Sequence, residues 1–297
     1  MVEVASGEVL ERVSRAQEAQ AAAFVDRLTA QARYFVTDAA ACEIVWRRFG
    51  AGPDVLLVHG GHGSWLHWVR NIEALAAHHT VWAPDLPGFG ESGDPSGPAL
   101  QTLVETVVAG YAQLPAVADG ASVPRPVDLI GFSFGGLTAS HLASALPGVR
   151  KLALLGPGGH AGPRRQQRAL VDCRQAADAQ ALADAMRHNV EAFMIEDPRQ
   201  VDALAMLAYT ESCRHTRFRS KQISRAGGLA DALDRFGGPV LMAWGENDVT
   251  AVPEAVLAGM IAGRAGREGA LVPGAGHWVQ YEAHAAVNAL LLDWLAR

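Results

Sequence analysis

Short apolar runs recur along the chain with helix-like or loop-like stretches between them. Positions 54–59 and 127–132 are continuous apolar runs, as expected of parallel strands buried on both faces. Positions 42–49 alternate imperfectly and end at Gly50-Ala51-Gly52-Pro53, a strand and a turn. Strands are also predicted over 80–84 and 151–155, with helices over 71–77 and 100–114. Strand and helix therefore alternate, which predicts an α/β fold built on a doubly wound, mostly parallel sheet. Ahead of it, 8–34 is rich in Ala, Gln, Glu and Arg, with no proline or internal glycine. Ala16, Phe24, Leu28 and Ala32 follow helical spacing, so residues 1–40 read as an N-terminal helical extension. It packs on the outside of the domain, covers the mouth of the binding crevice, or serves as the arm of a homodimer.

After Pro157 the pattern changes. From 157 to 228 no strand is predicted, and helices are expected over 164–175, 180–193 and 198–209. Strands resume at 239–244 and 270–272, with helices near 253–262 and 282–296. The core is thus assigned to 41–156 and 229–297, and 157–228 to a helical cap inserted between strands. The insert holds eleven basic and eight acidic residues, net +3, and the rest of the chain carries −9.

Composition adds limits. With 297 residues, 49% hydrophobic and 19% charged, the chain is expected to form a packed globule. A net charge of −6 gives no reason to expect nucleic acid or an anionic membrane as partner. No apolar run approaches the roughly 20 residues of a membrane span. The first residues are acidic and lack an apolar secretion core, so a cytoplasmic protein is expected. Cys42, Cys173 and Cys213 lie far apart and read as packing residues.

The chemistry centres on Gly131-Phe132-Ser133-Phe134-Gly135. A strand runs into this pentapeptide and a helix leaves it, so Ser133 occupies a tight, strained turn with its hydroxyl pushed out of the sheet. A serine needs a base, and the base needs an orienting carboxylate. His277 and Asp248 follow late strands, giving the order Ser133, Asp248, His277. His59-Gly60-Gly61 follows an earlier strand and lets backbone N–H groups approach a ligand. Gly88, Gly90 and Gly93 fit a dinucleotide fingerprint formally, but no helix follows closely, so no nucleotide cofactor is expected. His62, His67, His78 and His79 show no ligand spacing, so no metal is expected either.

These blocks, with Asp85-Leu86-Pro87-Gly88-Phe89-Gly90-Glu91-Ser92 and Gly245-Glu246-Asn247-Asp248, resemble the α/β-hydrolase superfamily from about residue 41 to 297. The resemblance implies Ser133 as nucleophile, His277 as acid/base, Asp248 as its orienting carboxylate, and the N–H groups of Phe134 and Gly61 as oxyanion donors. It implies no cofactor and a small-molecule substrate. The stretch 276–282 and the Ser133 turn are similar to meta-cleavage-product hydrolases, which split carbon–carbon bonds. Those enzymes usually carry Asn where this chain has Phe132. They also have a Gly-Pro-Gly oxyanion loop with a following Asn, where this chain has 61–68. Three functions stay open: hydrolysis of small to medium carboxylic esters, hydrolysis of 2-hydroxy-6-oxo-dienoates, and ligand binding without turnover. Trp65, Trp68, Phe132 and Trp278 are expected to line an apolar substrate pocket, and Arg217 to meet a substrate carboxylate.

Overall fold

The computed structural model describes residues 3–39, 41–120 and 125–297. Eight strands form one sheet in the order β1-β2-β4-β3-β5-β6-β7-β8. They are β1 (Arg33–Ala39), β2 (Cys42–Phe49), β3 (Asp54–Val58), β4 (Thr80–Pro84), β5 (Val127–Phe132), β6 (Val149–Leu155), β7 (Val240–Gly245) and β8 (Arg267–Val272). β1 and β2 pair antiparallel, as do β2 and β4, while every pairing from β4 to β8 is parallel.

The helices of the first half are α1 (Glu3–Gln31), α2 (Ile72–Ala76), α3 (Leu100–Asp119) and α4 (Phe134–Ala145). Those of the second half are α5 (Ala179–Asn189), α6 (Ala203–Arg214), α7 (Ser220–Arg225), α8 (Leu229–Arg235), α9 (Pro253–Ile261), α10 (Val279–Glu282) and α11 (His284–Ala296). Both faces of the sheet are covered, and successive strand residues divide between two apolar clusters. Val55, Leu57, Ile130, Ala153 and Leu155 join Ile72 and Leu291 on one side. Leu56, Val58, Leu129, Leu152 and Leu154 join Val107, Leu142 and Leu257 on the other. This is why those strands read as unbroken apolar runs.

Two expectations need correction. The N-terminal helix stops at Gln31, and Arg33–Ala39 is not helical extension but the edge strand β1, hydrogen-bonded to β2 along its length. Thr37 and Ala39 are buried while Val36 and Asp38 are exposed, the period-two pattern of a half-covered strand. One residue separates it from the helix, and only its last positions alternate in burial, so the local pattern gives little to mark where helix ends and strand begins. The helix expected over 164–175 is also missing, apart from one tight turn at Cys173–Gln175. That segment runs over the surface, tied by its side chains to distant carbonyls: Arg164 to Ser224, Arg165 to Glu246 and Arg168 to Glu191.

The sequence order of the strands reverses between β3 and β5, so a crevice opens beyond their carboxyl ends. The loops after β3, β5, β7 and β8 all emerge there. The excursion 157–228 leaves from β6, contributes α5, α6 and α7, and returns through α8 to β7. No helix among the described residues is long and apolar enough to cross a membrane.

Candidate active site

Ser133 joins β5 to α4 at φ 54 and ψ −120, a backbone conformation that favours glycine. The glycine after it permits the turn. A Cβ on Gly135 would lie 2.1 Å from the His59 carbonyl oxygen and 2.2 Å from that of Val58. Helix and strand can approach this closely only without a side chain. Ser133 N–H donates to the Leu155 carbonyl at 2.9 Å, and its own carbonyl accepts from Gly158 at 2.8 Å, fixing the elbow to β6.

Three side chains from three loops meet at the elbow. His277 Nε2 lies 2.9 Å from Ser133 Oγ, and His277 Nδ1 lies 2.8 Å from Asp248 Oδ2. Asp248 and His277 are 0% and 2% exposed. An ionised carboxylate only accepts, so Nδ1 carries the proton and Nε2 presents its lone pair to the serine. The other oxygen, Asp248 Oδ1, accepts from the Thr250 N–H and the Thr250 hydroxyl, both at 2.7 Å. Burial alone would push the Asp248 carboxyl up, but His277 and the two Thr250 donors outweigh it and hold it below the usual carboxylate range. A depressed folded-state value means the stabilisation is present at neutral pH and is lost as pH falls through that value.

Thr250 did not stand out in the sequence, since a threonine two residues past an aspartate carries no distinct signal. Its hydroxyl also lies 3.2 Å from His277 Nδ1, so it holds both partners in register. Thr250→Val keeps the shape and the backbone donor. It is expected to lower kcat about tenfold with KM unchanged, the worth of one hydrogen bond to a charged group, measured by steady-state kinetics.

The loop after β3 is fixed by buried polar contacts. His59 Nδ1 donates to the Gly60 carbonyl at 2.8 Å, while Nε2 accepts from Leu86 N–H at 2.9 Å. Gly60 N–H donates to His67 Nδ1 at 3.2 Å. Asp85 accepts from Trp65 N–H at 2.9 Å and from buried Arg47 at 3.0 Å, and Arg47 also pairs with Glu91. Burial keeps the His67 imidazole well below its ordinary titration range, so it stays neutral and can accept. Phe134 opens α4, so its N–H belongs to the helix end that has no intrahelical partner.

The aromatic residues expected to line the pocket are placed differently. Trp65 stacks on Phe49 at 6.1 Å beneath the Arg47 guanidinium, and Trp68 is fully buried in the core. Trp278 is also fully buried, packed in a tilted pair with Tyr281 at 4.3 Å and donating Nε1–H to the His67 carbonyl. These three rings support the loops from within. Phe132 does reach the site, with its ring 5.0 Å from that of His277. Arg217 is directed away: it pairs with Asp94 at 2.6 Å and donates to the carbonyls of Gly90 and Ser92. Residue type gives size and polarity, but the direction of a side chain depends on the packed loop.

The excursion supplies residues the sequence did not single out. Phe193 packs against His277 at 5.2 Å, and Phe218 against Phe134 at 5.8 Å and Phe89 at 5.9 Å. Arg217 and Phe218 both donate their N–H groups to the Gly88 carbonyl, at 2.9 and 3.0 Å. The only signal in the sequence was their place among apolar positions of a helical insert.

Comparison with known proteins agrees with this architecture. The family model described as "Alpha/beta hydrolase family" matches residues 55–290. A pimeloyl-[acyl-carrier protein] methyl ester esterase of Vibrio parahaemolyticus is 32% identical over 102 residues, 34% of this chain and 35% of that protein. A 2-hydroxy-6-oxo-2,4-heptadienoate hydrolase of Pseudomonas putida is 40% identical over 111 residues, 36% of this chain and 38% of that protein. The chain therefore spans about a third of the length of the curated relatives it matches. The crystal structure of an esterase, RhEst1, from Rhodococcus sp. superposes with a TM-score of 0.71 at 20% identity, covering 90% of this chain and 98% of that one. The eight-stranded sheet and the match over 55–290 place the chain in the alpha/beta hydrolase family.

Proposed function

We propose that the chain hydrolyses small to medium, uncharged carboxylic esters through an acyl-enzyme. The observation that carries this reading is the unbroken hydrogen-bonded chain Asp248–His277–Ser133 at the mouth of the β3/β5 crevice. In this reading Ser133 attacks the ester carbonyl and His277 Nε2 takes its proton. The N–H groups of Phe134 and Gly61 hold the oxyanion. The alcohol leaves with the proton from His277, and water repeats the sequence on the acyl-enzyme. Residues 157–228 act as the lid, with Phe193, Phe218 and Phe132 giving the site apolar walls.

An uncharged substrate fits the placement of the lid's basic cluster. Arg217 is bound to the 88–94 loop, Arg214 pairs with Glu211 at 3.1 Å, and Arg219 and Lys221 are exposed. A dienoate carboxylate would need a cation facing the nucleophile. The second reading, carbon–carbon hydrolysis, is favoured by the similarity to the Pseudomonas putida dienoate hydrolase. Initial rates on p-nitrophenyl butyrate and on a 2-hydroxy-6-oxo-dienoate separate the two. The ester is expected to turn over with the higher kcat/KM, and a preference for the dienoate would overturn the ester reading.

A further inference from the structure

Gly61 has no side chain, and the excursion fills the space one would occupy. A Cβ built on Gly61 would lie 2.3 Å from Ser220 Oγ, 3.3 Å from Ser220 Cβ and 3.6 Å from Phe134 Cβ. The Ser220 hydroxyl thus stands against Gly61, one of the two residues whose N–H groups form the proposed oxyanion site, on the side that also faces Phe134. Ser220 is 2% exposed, and its carbonyl accepts from Ser224 Oγ at 3.1 Å. Its own Oγ forms no hydrogen bond among the described residues. Buried hydroxyls are satisfied as a rule, so an unpartnered one beside Gly61 is placed to meet a ligand oxygen held at that residue.

We propose that Ser220 Oγ–H is a third donor to the oxyanion, delivered by the excursion; this rests on the acyl-enzyme reading above. When Ser133 Oγ bonds to the carbonyl carbon, its proton passes to His277 Nε2 and the carbonyl π pair moves to oxygen. Ser220 donates to that oxygen without losing its proton. When the intermediate collapses, the pair returns to C=O and the leaving oxygen takes the proton from His277.

The segment bearing Ser220 is held on both sides. Phe218 N–H donates to the Gly88 carbonyl at 3.0 Å, and Gly159 N–H to the Ser224 carbonyl at 2.8 Å. Gly159 lies in the stretch that Gly158 ties to the Ser133 carbonyl at 2.8 Å. The hydroxyl is therefore positioned relative to the elbow itself. It follows that the oxyanion site is complete only while the excursion is seated, which links lid closure to the chemical step.

The test uses the full chain with p-nitrophenyl butyrate. Ser220→Ala is expected to lower kcat about 10- to 100-fold with KM within about twofold, below the loss of a main oxyanion donor. The double variant Gly61→Ser, Ser220→Gly returns a hydroxyl to the same space from the other side. It is expected to turn over at least about tenfold faster than Ser220→Gly alone, the lower end of the same range. A folded Ser220→Ala with wild-type kcat, or a folded double variant no faster than Ser220→Gly, overturns the proposal. Failure of the underlying reading looks different: wild type would give no fluorophosphonate adduct at Ser133, and both ideas would fall.

Discussion

Ser133→Ala is expected to abolish ester turnover, with kcat falling roughly 10⁴- to 10⁶-fold while the protein stays folded. The size of the effect follows from the geometry. Ser133 Oγ is the atom 2.9 Å from His277 Nε2, so removing it leaves the base with nothing to activate but water. A rate within tenfold of wild type would refute Ser133 as nucleophile. Stability adds a second readout. With φ at 54 and ψ at −120, any side chain at 133 is strained by about 1–3 kcal/mol. Ser133→Gly and Ser133→Ala both lack the hydroxyl, yet only glycine relieves the backbone. Ser133→Gly is therefore expected to melt about 2 °C or more above Ser133→Ala, even after the entropic cost of a glycine in the unfolded chain. Equal melting temperatures would mean that the turn stores no strain.

Asp248→Asn is the second large effect, about 10⁴-fold in kcat, with KM little changed. Thr250 decides how the new amide sits. Its N–H and hydroxyl both donate to the position of Oδ1, so the asparagine oxygen is held there. The amide NH₂ then faces His277 Nδ1, where Oδ2 lay at 2.8 Å. A donor in that position forces Nδ1 to accept, so the imidazole proton moves to Nε2 and points at Ser133. The base is present in the wrong tautomer. Because Thr250 acts through Asp248, Thr250→Val added to Asp248→Asn is expected to cost far less than its own tenfold. Full additivity of the two variants in kcat would show that Thr250 acts independently.

The strands that bear the site were legible because each is buried on both faces, which forces a continuous apolar run that few other structures require. The Ser133 turn was legible for a related reason: Gly135 lies so close to the Val58 and His59 carbonyls that no other residue fits. Asp248 and His277 could be picked out as polar residues following late strands. β1 was not legible, because it follows the helix with one residue between them and its alternation is confined to its last residues, where Thr37 and Ala39 alone are buried.

The sequence by itself determined the alternation of strand and helix in an α/β core, the tight turn at Ser133 and the chemical types of the residues that meet it. All of these are imposed by backbone geometry and burial acting over a few residues. Tertiary structure decided the directions: Trp65, Trp68 and Trp278 face the interior, Arg217 faces the 88–94 loop, Thr250 faces Asp248, and Ser220 faces Gly61. A side chain's direction is settled by which distant loop packs against it, and that contact exists only once the excursion and the sheet have come together.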